Sequence, residues 1–378
     1  NNSVEVIEIG TGTTQAVHPL HNPEPASIIN GRPFLYDAVA TSGNGESSCA
    51  SCHLFGGFDA LVWNLGDPDG GLTINNQPQP DPILEQTDAT GPFHPMKGPM
   101  QTQTLRGLST HGAMHWRGDR ADGFFGTDSC TEPGYAEANS TNAPCAEDPA
   151  FRNFIVAFEG LVGKEGLITE AEMQQFSNFM LQVQWPPSPV SELDGSLTPS
   201  QQRGMDVWFS CGPGTAECLP LDPRATDIVE DCDGCHSLDP LNGFFGSGGE
   251  QTFEGEPQHF KVAQMRNMYQ KVGYFGAPGG NQVRGNGFLH DGSIDTMKTF
   301  YRTGPFQLDA QEEDDIEQFS LAFPTDIAAI VGQQVTIGPG NFNIADVHSR
   351  IALIDARAGA PFDSKVLGGT VTECDVIV

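Results

Sequence analysis

Basic residues are scarce in this sequence. Its 378 residues include 18 Lys and Arg against 49 Asp and Glu, which gives a formal net charge of −31 at pH 7. Nucleic acids and anionic membranes attract clusters of Lys and Arg, so a surface this acidic repels both. The charge therefore argues against those two partner classes and favours a partner with a basic or neutral face.

Apolar residues are also few. The residues AVILMFWYC make up 38% of the chain, beside 45 Gly and 28 Pro. The usual apolar share is about 45–50%, with Gly counted. No run of about 18 or more apolar residues occurs, so no membrane span is predicted. A prior of about 150 residues per domain suggests two or three domains, whose cores need something besides side chains to fill them.

Four of the nine cysteines lie in two copies of one motif. CASCH at 49–53 and CDGCH at 232–236 both read C-x-x-C-H, the attachment signature of c-type haem. Two thiols one helical turn apart add across the two vinyl groups of a porphyrin, and the adjacent His becomes an axial ligand of the iron. A zinc site or a thioredoxin-like pair would need flanking patterns that are absent from this sequence. The sequence thus predicts two covalently attached haems c, held by Cys49, Cys52, His53, Cys232, Cys235 and His236.

The remaining five cysteines form a different set. Cys130 and Cys145 enclose one polar loop, and Cys211 and Cys218 enclose another. Such loops indicate local disulfides in an oxidising compartment, with metal or catalytic thiols as the alternative. Cys374 is the one cysteine left over from these pairs and motifs. It can pair with another chain, pair with residues beyond this sequence, or stay free. Because haem c is attached outside the bacterial cytoplasm, we expect a periplasmic or extracellular protein.

The chain repeats its phrases in the same order after each haem motif. QTLRGL at 103–108 corresponds to AQMRNM at 263–268, and the tripeptide Gln-Phe-Ser occurs at 175–177 and 318–320. Thr198 and Pro199 predict the start of a helix, and Thr169 with Glu172 predicts a capping box. We therefore predict a mainly α fold with two tandem class I cytochrome c-like haem domains, long Gly/Pro-rich loops and few strands.

The predicted boundaries follow from these phrases and from the proline-rich run that begins at Trp185. They are an N-terminal extension (1–29), a domain with haem 1 (30–185), a linker (186–198), a domain with haem 2 (199–345) and a C-terminal extension (346–378).

The tandem motifs, each followed by a T/Q-x-L/M-R phrase and a W/H-x-G turn, resemble the bacterial dihaem cytochrome c peroxidase and MauG superfamily. The resemblance covers roughly residues 30–325. It implies that one haem relays electrons while the other reacts with an oxidant. HWRGDR at 115–120 is similar to the family's Trp-Asp-Gly-Arg turn, which puts Trp116 at the position of an inter-haem electron relay. A buried aromatic at a domain contact is the alternative interpretation.

The ligand opposite each proximal His decides the chemistry. Iron with two protein ligands only exchanges electrons, whereas an open sixth site binds an oxidant. The run GPFHPMKGPM at 91–100 resembles the family's distal-His loop, which makes His94 the leading candidate for haem 1. Met96 and Met100 come next, and His111 and His115 remain open.

The second haem departs from the family pattern. The position of the family's distal Met or Tyr corresponds to Gly304 in this sequence, and glycine has no side chain that could bind the iron. Met297 and Tyr301 lie on the same predicted helical face, and either can substitute if the helix shifts by a turn or two. Plain core packing is their alternative role, and His290 is the remaining candidate.

A peroxidase also needs an acid–base group above the open haem. The family's Pro-x-Glu-Met phrase is absent from this sequence, and Glu159 is the nearest candidate, with a surface position as its alternative. Related peroxidases hold calcium between their domains, and the loop GDPDGG at 66–71 offers acidic ligands or a plain solvated turn.

Three functions remain in order of preference. The first is an exported dihaem cytochrome of this superfamily that moves electrons through two haems. The second is a peroxidase of hydrogen peroxide, or a MauG-like oxidase, with one open haem. The third is the haem module of a larger extracellular assembly, in which Cys374 joins chains.

Overall fold

The computed structural model describes most of the chain. The described residues are 3–72, 94–110, 114–117, 147–209, 232, 236, 260, 262–273, 287–303, 306–364 and 366–377. Cys130, Cys145, Cys211 and Cys218 lie outside them, so the two predicted disulfides stay predictions. Cys374 is described, half-buried and unpaired with any described cysteine.

The predicted fold class is confirmed, because helices dominate and the strands of the described chain form only short antiparallel pairs. The helices are α1 (Ala26–Tyr36), α2 (Ala38–Thr41), α3 (Glu147–Arg152), α4 (Ala157–Gly160), α5 (Glu170–Met180), α6 (Pro199–Trp208), α7 (Met268–Lys271), α8 (Met297–Tyr301), α9 (Ala310–Leu321) and α10 (Ala345–Ala358). The strand pairs are β1 (Ser3–Ile7) with β2 (Thr14–Pro19), β3 (Val62–Trp63) with β4 (Met100–Gln101), and β5 (Pro361–Ser364) with β6 (Gly369–Thr372).

Helix α1 packs closely on α5 in the first half of the chain. A glycine permits this approach, since a Cβ on Gly31 would lie 2.3 Å from the carbonyl oxygen of Gln175 and 2.3 Å from the Cβ of Phe179. The predicted capping box at the start of α5 is confirmed, because the Thr169 hydroxyl accepts from the backbone of Glu172 and the Glu172 carboxylate accepts from the backbone of Thr169.

The second half repeats this arrangement with α6 and α9. A Cβ on Gly204 would lie 2.0 Å from the carbonyl oxygen of Asp315 and 2.8 Å from the Cβ of Phe319. The predicted start of α6 is confirmed, with Thr198 as N-cap and Pro199 in the first helical position. Each half thus has one helix pair that crosses at a glycine.

The two crossings show that the Gln-Phe-Ser match is out of structural register. Gly31 faces Gln175 and Phe179, whereas Gly204 faces Asp315 and Phe319. Gln175 therefore corresponds in space to Asp315 and not to Gln318. Relative to the crossing point, the tripeptide of the second half therefore lies about one helical turn further along its helix than that of the first half. The closest backbone approach, and not the identity of the side chains, decides where the helices cross.

Two separate groups of buried side chains surround these helix pairs. The first is formed by Leu35, Leu108, Met114, Ala150, Phe151, Phe158, Ile168, Met173, Phe176, Phe179 and Met180. The second is formed by Trp208, Met265, Met268, Phe288, Met297, Tyr301, Ile316, Phe319, Leu321 and Phe323. Cys49 packs on the first group and Cys232 on the second, so each haem motif adjoins its own core.

The residues predicted as a linker pack along the second core. The Ser188 hydroxyl donates to the carbonyl of Leu321 at 3.3 Å, and the Tyr269 hydroxyl donates to the carbonyl of Pro186 at 2.8 Å. The two terminal segments are less buried than these linker residues, since α10 has no fully buried residue and most residues of β1 and β2 are exposed. In the described part of the chain, no helix combines the length and apolar character that crossing a membrane requires.

Candidate haem-attachment sites

The first C-x-x-C-H motif begins in a tight 3-10 turn, Cys49–Ser51. Ser48 precedes the turn, and its backbone N–H donates to the Ser51 hydroxyl at 3.0 Å. The backbone N–H of His53 then donates to the carbonyl of Cys49 at 2.9 Å. This chain of local bonds brings both thiols and the imidazole to the same turn, as covalent attachment of one porphyrin requires.

The imidazole of His53 has its Nδ1 side turned toward the main chain. Nδ1 lies 3.4 Å from the carbonyl oxygen of Gly57. Burial lowers the pKa of His53, while backbone hydrogen bonds with Gln103 and Gly57 raise it by less. The ring is therefore neutral near pH 7 and leaves Nε2 for an iron, which is the form that a haem ligand takes.

The thiols of this motif are protonated in the haem-free chain. Burial raises the pKa of Cys49 to about 11. Burial and the nearby carboxylate of Asp59 both raise the pKa of Cys52. Both sulfurs are unpaired, so both are available for thioether formation.

The second motif is described at two of its positions, Cys232 and His236, which both lie in helical conformation. Nδ1 of His236 lies 2.9 Å from the carbonyl oxygen of Ala263. The ring also lies against Trp208, with centroids 5.7 Å apart. Cys235 lies outside the described residues.

The two motif histidines use the same position of the repeated phrase. Gln103 and Ala263 each open that phrase, QTLRGL in the first copy and AQMRNM in the second. The Ala263 carbonyl faces Nδ1 of His236, and the backbone of Gln103 raises the pKa of His53, whose own Nδ1 faces the carbonyl of Gly57. In both halves Nδ1 is directed to the backbone, which orients the ring and leaves Nε2 available.

Two buried indole groups add to the fit with a prosthetic group. Trp185 is 2% exposed and Trp208 is 1% exposed, and the Nε1–H of each has no acceptor among the described residues. A buried N–H donor of this kind needs a partner, and a haem propionate supplies an acceptor. The residues of the described chain therefore fit covalently bound haem.

The candidate distal ligands of haem 1 lie in different surroundings. His94 is exposed, its Nδ1 accepts from the backbone N–H of Met96 at 3.0 Å, and its carbonyl accepts from Arg117. Met100 is buried against Trp116 and Phe260. His115 has a left-handed φ of 70° and contacts Phe154 edge-on, with ring centroids 6.2 Å apart. Met96 is half-buried, and His111 lies outside the described residues.

The candidates for haem 2 separate into two places. Met297 and Tyr301 are buried in the second core, beside Cys232 and Trp208, and the Tyr301 hydroxyl bonds the Ser320 hydroxyl at 2.7 Å. His290 instead stacks on Phe260, with centroids 4.1 Å apart and an angle of 22° between the rings. Gly304 lies outside the described residues. Which of these side chains ligates iron stays a prediction.

Trp116 lies where the two halves meet. Its Nε1–H donates to the carbonyl of Gln101 at 2.8 Å, and its ring meets Phe260 edge-on at 6.4 Å. Because Phe260 stacks in turn on His290, three aromatic rings form a row from the first half to the second. Trp116 is therefore a buried aromatic where the two halves meet, and its role as an electron relay stays a prediction.

Gln101 and Phe260 complete this junction, and the sequence analysis did not identify either residue. The Gln101 side chain donates to the carbonyls of Gly287 and Leu289, at 3.0 and 2.8 Å, and its backbone N–H donates to the carbonyl of His290 at 2.7 Å. Phe260 stands three residues before Ala263. Its position shortly before a repeated phrase is the one signal that could have drawn attention to it.

Two further predictions receive no support from the geometry. Glu159 is exposed on the short helix α4, as its surface alternative predicts. In the 66–71 loop, the Asp67 carboxylate accepts from the backbone N–H of Asp69 at 3.0 Å, which is an ordinary turn. No group of three or more His, Cys, Asp or Glu among the described residues is arranged to hold a metal ion. Calcium stays a prediction.

Comparisons with known proteins give distant similarities. No protein-family model matches the chain. The gamma subunit of hydrazine synthase from Kuenenia stuttgartiensis is 22% identical over 290 residues, which are 76% of this chain and 67% of that protein. A structure of Kuenenia stuttgartiensis hydrazine synthase pressurised with 20 bar xenon has a TM-score of 0.47 at 17% identity and covers 80% of this chain and 89% of that one. A MauG-like protein associated with microbial copper homeostasis has a TM-score of 0.37 at 19% identity and covers 83% and 93%.

Proposed function

We propose that this chain is an exported dihaem c-type cytochrome that moves electrons through two covalently bound haems. One observation carries the proposal: Nδ1 of each C-x-x-C-H histidine is directed to a main-chain carbonyl. Nδ1 of His236 lies 2.9 Å from the carbonyl oxygen of Ala263, and Nδ1 of His53 lies 3.4 Å from the carbonyl oxygen of Gly57. A matched pair of oriented imidazoles beside a matched pair of thiol motifs is what two proximal haem sites require.

The haems, when bound, supply the one-electron chemistry, and the chain supplies their placement. Trp116 is held by its bond to Gln101 and by its contact with Phe260, so its ring has a defined orientation at the junction. Phe260 and His290 extend the row of rings into the second half. We assign this row to electron passage between the two haem sites.

The charge of the chain defines the redox partner. A net charge of −31 favours a partner with a basic face, and the association should weaken as salt rises. Export to the periplasm or the cell exterior follows from the proposed haem attachment.

The first test is the haem count of the full chain, produced in a host with haem c attachment machinery. We expect two haems per chain by intact mass and by pyridine haemochrome absorbance. The double variant Cys49→Ala/Cys52→Ala should retain one haem, and the matched double variant Cys232→Ala/Cys235→Ala should retain the other. A wild-type chain that carries fewer than two haems would overturn the proposal.

The second test separates electron transfer from peroxidase chemistry. Optical and EPR spectra of the isolated and the one-electron-reduced protein should show two low-spin haems in both states, with no turnover of hydrogen peroxide. A high-spin haem together with peroxide turnover would replace the electron-transfer proposal by the peroxidase. His94→Gly should make haem 1 high-spin, and an unchanged spectrum would exclude His94 as its ligand.

The exposed terminal segments favour a second candidate, the haem module of a larger extracellular assembly. Apolar side chains on both terminal segments are strongly exposed, among them Ile7, Ile9, Leu367 and Ile377. The relative from Kuenenia stuttgartiensis is itself named as a subunit.

Native mass measurement on material purified gently from its source tests this candidate. We expect a complex larger than the single chain, and gels with and without reductant will show whether Cys374 links chains. A monomer under all conditions would exclude the assembly.

A further inference from the structure

Arg266 is fully buried and connects the two halves of the chain. Its exposed fraction is 0%. Its Nη2 donates to the carbonyl of Gly107 at 2.6 Å, and its Nη1 donates to the Thr110 hydroxyl at 2.7 Å. Its guanidinium also lies over the ring of Trp185, 5.3 Å from the centroid. Every one of these partners belongs to the first half, while Arg266 belongs to the second.

The two segments that Arg266 joins are the ones that orient the motif histidines. Arg266 stands three residues after Ala263, whose carbonyl holds His236. Gly107 stands two residues after Leu105, whose backbone N–H donates to the carbonyl of Gly56 at 2.8 Å, next to the Gly57 carbonyl that faces Nδ1 of His53. A displacement of the guanidinium is therefore transmitted along one short stretch of backbone to each proximal ring.

The fit at this contact leaves no space. A Cβ on Gly107 would lie 2.4 Å from Nη2 of Arg266 and 1.9 Å from Nε1 of Trp185, and Gly107 has a left-handed φ of +67°. Burial lowers the pKa of Arg266 to about 9, while Asp326 and Tyr269 raise it by less. The side chain is thus cationic at neutral pH, and Asp326 offsets part of the cost of its burial.

The repeat supplies a natural comparison, because Arg106 occupies the same position of the first phrase. Arg106 donates from Nε and Nη2 to the carbonyl of Phe55, at 3.2 and 2.9 Å. Both bonds stay within the first half, because Phe55 stands two residues after His53. One copy of the arginine therefore braces its own haem loop, and the other copy bridges the halves.

We propose that Arg266 is a positioning residue that sets the separation and orientation of the two haem sites. The inference rests on the proposed function, since it needs two bound haems to position. Burying a charge is unfavourable unless well-placed partners compensate it, so apolar packing would join the two halves at a lower free-energy cost. What a guanidinium adds is direction, because its fork of N–H donors fixes the partner carbonyl in angle as well as distance.

The test compares Arg266→Met with the matched control Arg106→Met in the full, haem-loaded chain. Haem content is measured first, and we expect two haems per chain in the wild type and in both variants. The exciton couplet in Soret circular dichroism then reports inter-haem geometry, and flash reduction reports the rate of electron redistribution between the haems. We expect Arg266→Met to alter the couplet and to slow redistribution by about tenfold, since small misplacements have large effects on rate.

The control and the conservative variant separate positioning from general stability. Arg106→Met acts within the first half alone, so it should change the couplet and the rate much less than Arg266→Met does, and Arg266→Lys should restore part of the rate. If Arg266→Met fails to fold, the isosteric Thr110→Val removes one partner of the guanidinium and should slow redistribution in the same direction by about twofold.

The outcomes distinguish the two proposals. A wild type without two haems would overturn the proposed function and this inference with it. Two haems in every variant, with the couplet and the rate unchanged in Arg266→Met, would overturn the role of Arg266 alone. If Arg266→Met does not fold, an unchanged couplet and an unchanged rate in Thr110→Val would overturn the role of Arg266.

Discussion

The two halves of this chain share one helix crossing but differ in the polar groups around it. In the first half, Asp148 reaches from α3 to accept from Ser177 and Gln174 on α5, at 2.6 and 2.8 Å. In the second half the acid is on the crossing helix itself, where Asp315 of α9 accepts from Ser200 and Arg203 of α6.

The difference shows which parts of this helix arrangement vary between the two halves. The glycine at each crossing is constrained by backbone contact, because no side chain fits there. The acids are not constrained in this way, since Asp148 ties α3 to α5 in the first half, whereas Asp315 bonds across the crossing itself in the second. Shape is retained between the halves, while the source of the polar bond is not.

The largest expected effect comes from filling the crossings. Gly31→Ala and Gly204→Ala each place a Cβ within 2.3 Å of a backbone oxygen, so the helices must separate. We expect each substitution to lower the free energy of unfolding by about 3 kcal/mol, as overpacking does. Urea unfolding of the haem-loaded chain measures it.

The control for this prediction is Gly160→Ala, since a Cβ there meets no atom within 4 Å. It should leave stability unchanged or slightly raised. If Gly31→Ala were as mild as Gly160→Ala while Gly204→Ala was severe, the two crossings would not be equivalent.

An intermediate effect on stability is expected from Asp315, the acid of the second half. Burial raises the pKa of Asp315, but hydrogen bonds with Arg203, Ser200 and Gln311 outweigh it and hold the pKa below its usual value. The carboxylate therefore stabilises the fold above the unfolded pKa of about 3.9, and this contribution is lost as pH falls through the lower folded-state pKa.

Asp315→Asn should cost about 2 kcal/mol near pH 7, because it leaves a buried polar network incomplete. The loss should shrink as pH falls through the lowered folded-state pKa of Asp315, because the wild-type carboxylate then becomes protonated as well. Asp148→Asn is the matched variant of the first half and should cost about 1 kcal/mol, since its side chain is 34% exposed. Unfolding curves between pH 2 and 7 measure the free energy of unfolding of each variant and so show which substitution costs more. If the free energy of unfolding depended on pH in the same way in Asp315→Asn and in the wild type, the role of the Asp315 carboxylate would be contradicted.

The smallest expected effect concerns the caps. Thr169 of α5 and Thr198 of α6 each accept from the backbone of the third helical residue. Thr169→Ala and Thr198→Ala should each cost about 1 kcal/mol, and the serine variants should cost much less because they keep the hydroxyl. Thermal unfolding checks both pairs, and a serine variant as unstable as its alanine counterpart would exclude the cap as the cause.

Local chemistry made some elements predictable and left others undetermined. Thr198, Pro199 and the Thr169–Glu172 box were predicted correctly, because a cap depends on residues three positions apart. The Gln-Phe-Ser tripeptide was misleading as a guide to register, since the crossing is decided by the closest backbone approach at Gly31 and Gly204. Sequence identity over three residues contains no information about such a contact.

The candidate sites divide in the same way. The two C-x-x-C-H motifs were visible because the thiols and the His must lie within one turn. Trp116 was found by resemblance, but its partners Gln101 and Phe260 were not, because residues 15 and 144 positions away meet it only in the folded chain. The distal ligands were ambiguous for the same reason.

The sequence by itself determined the two haem-attachment motifs, the acidic charge, the capped helices and the mainly helical class, because each depends on composition or on neighbours along the chain. The tertiary structure alone decided where the halves meet, which carbonyls face His53 and His236, and that Arg106 and Arg266 have different partners. Those features depend on contacts between residues far apart in sequence, and two arginines at the same repeat position acquire different roles when only one of them faces the other half.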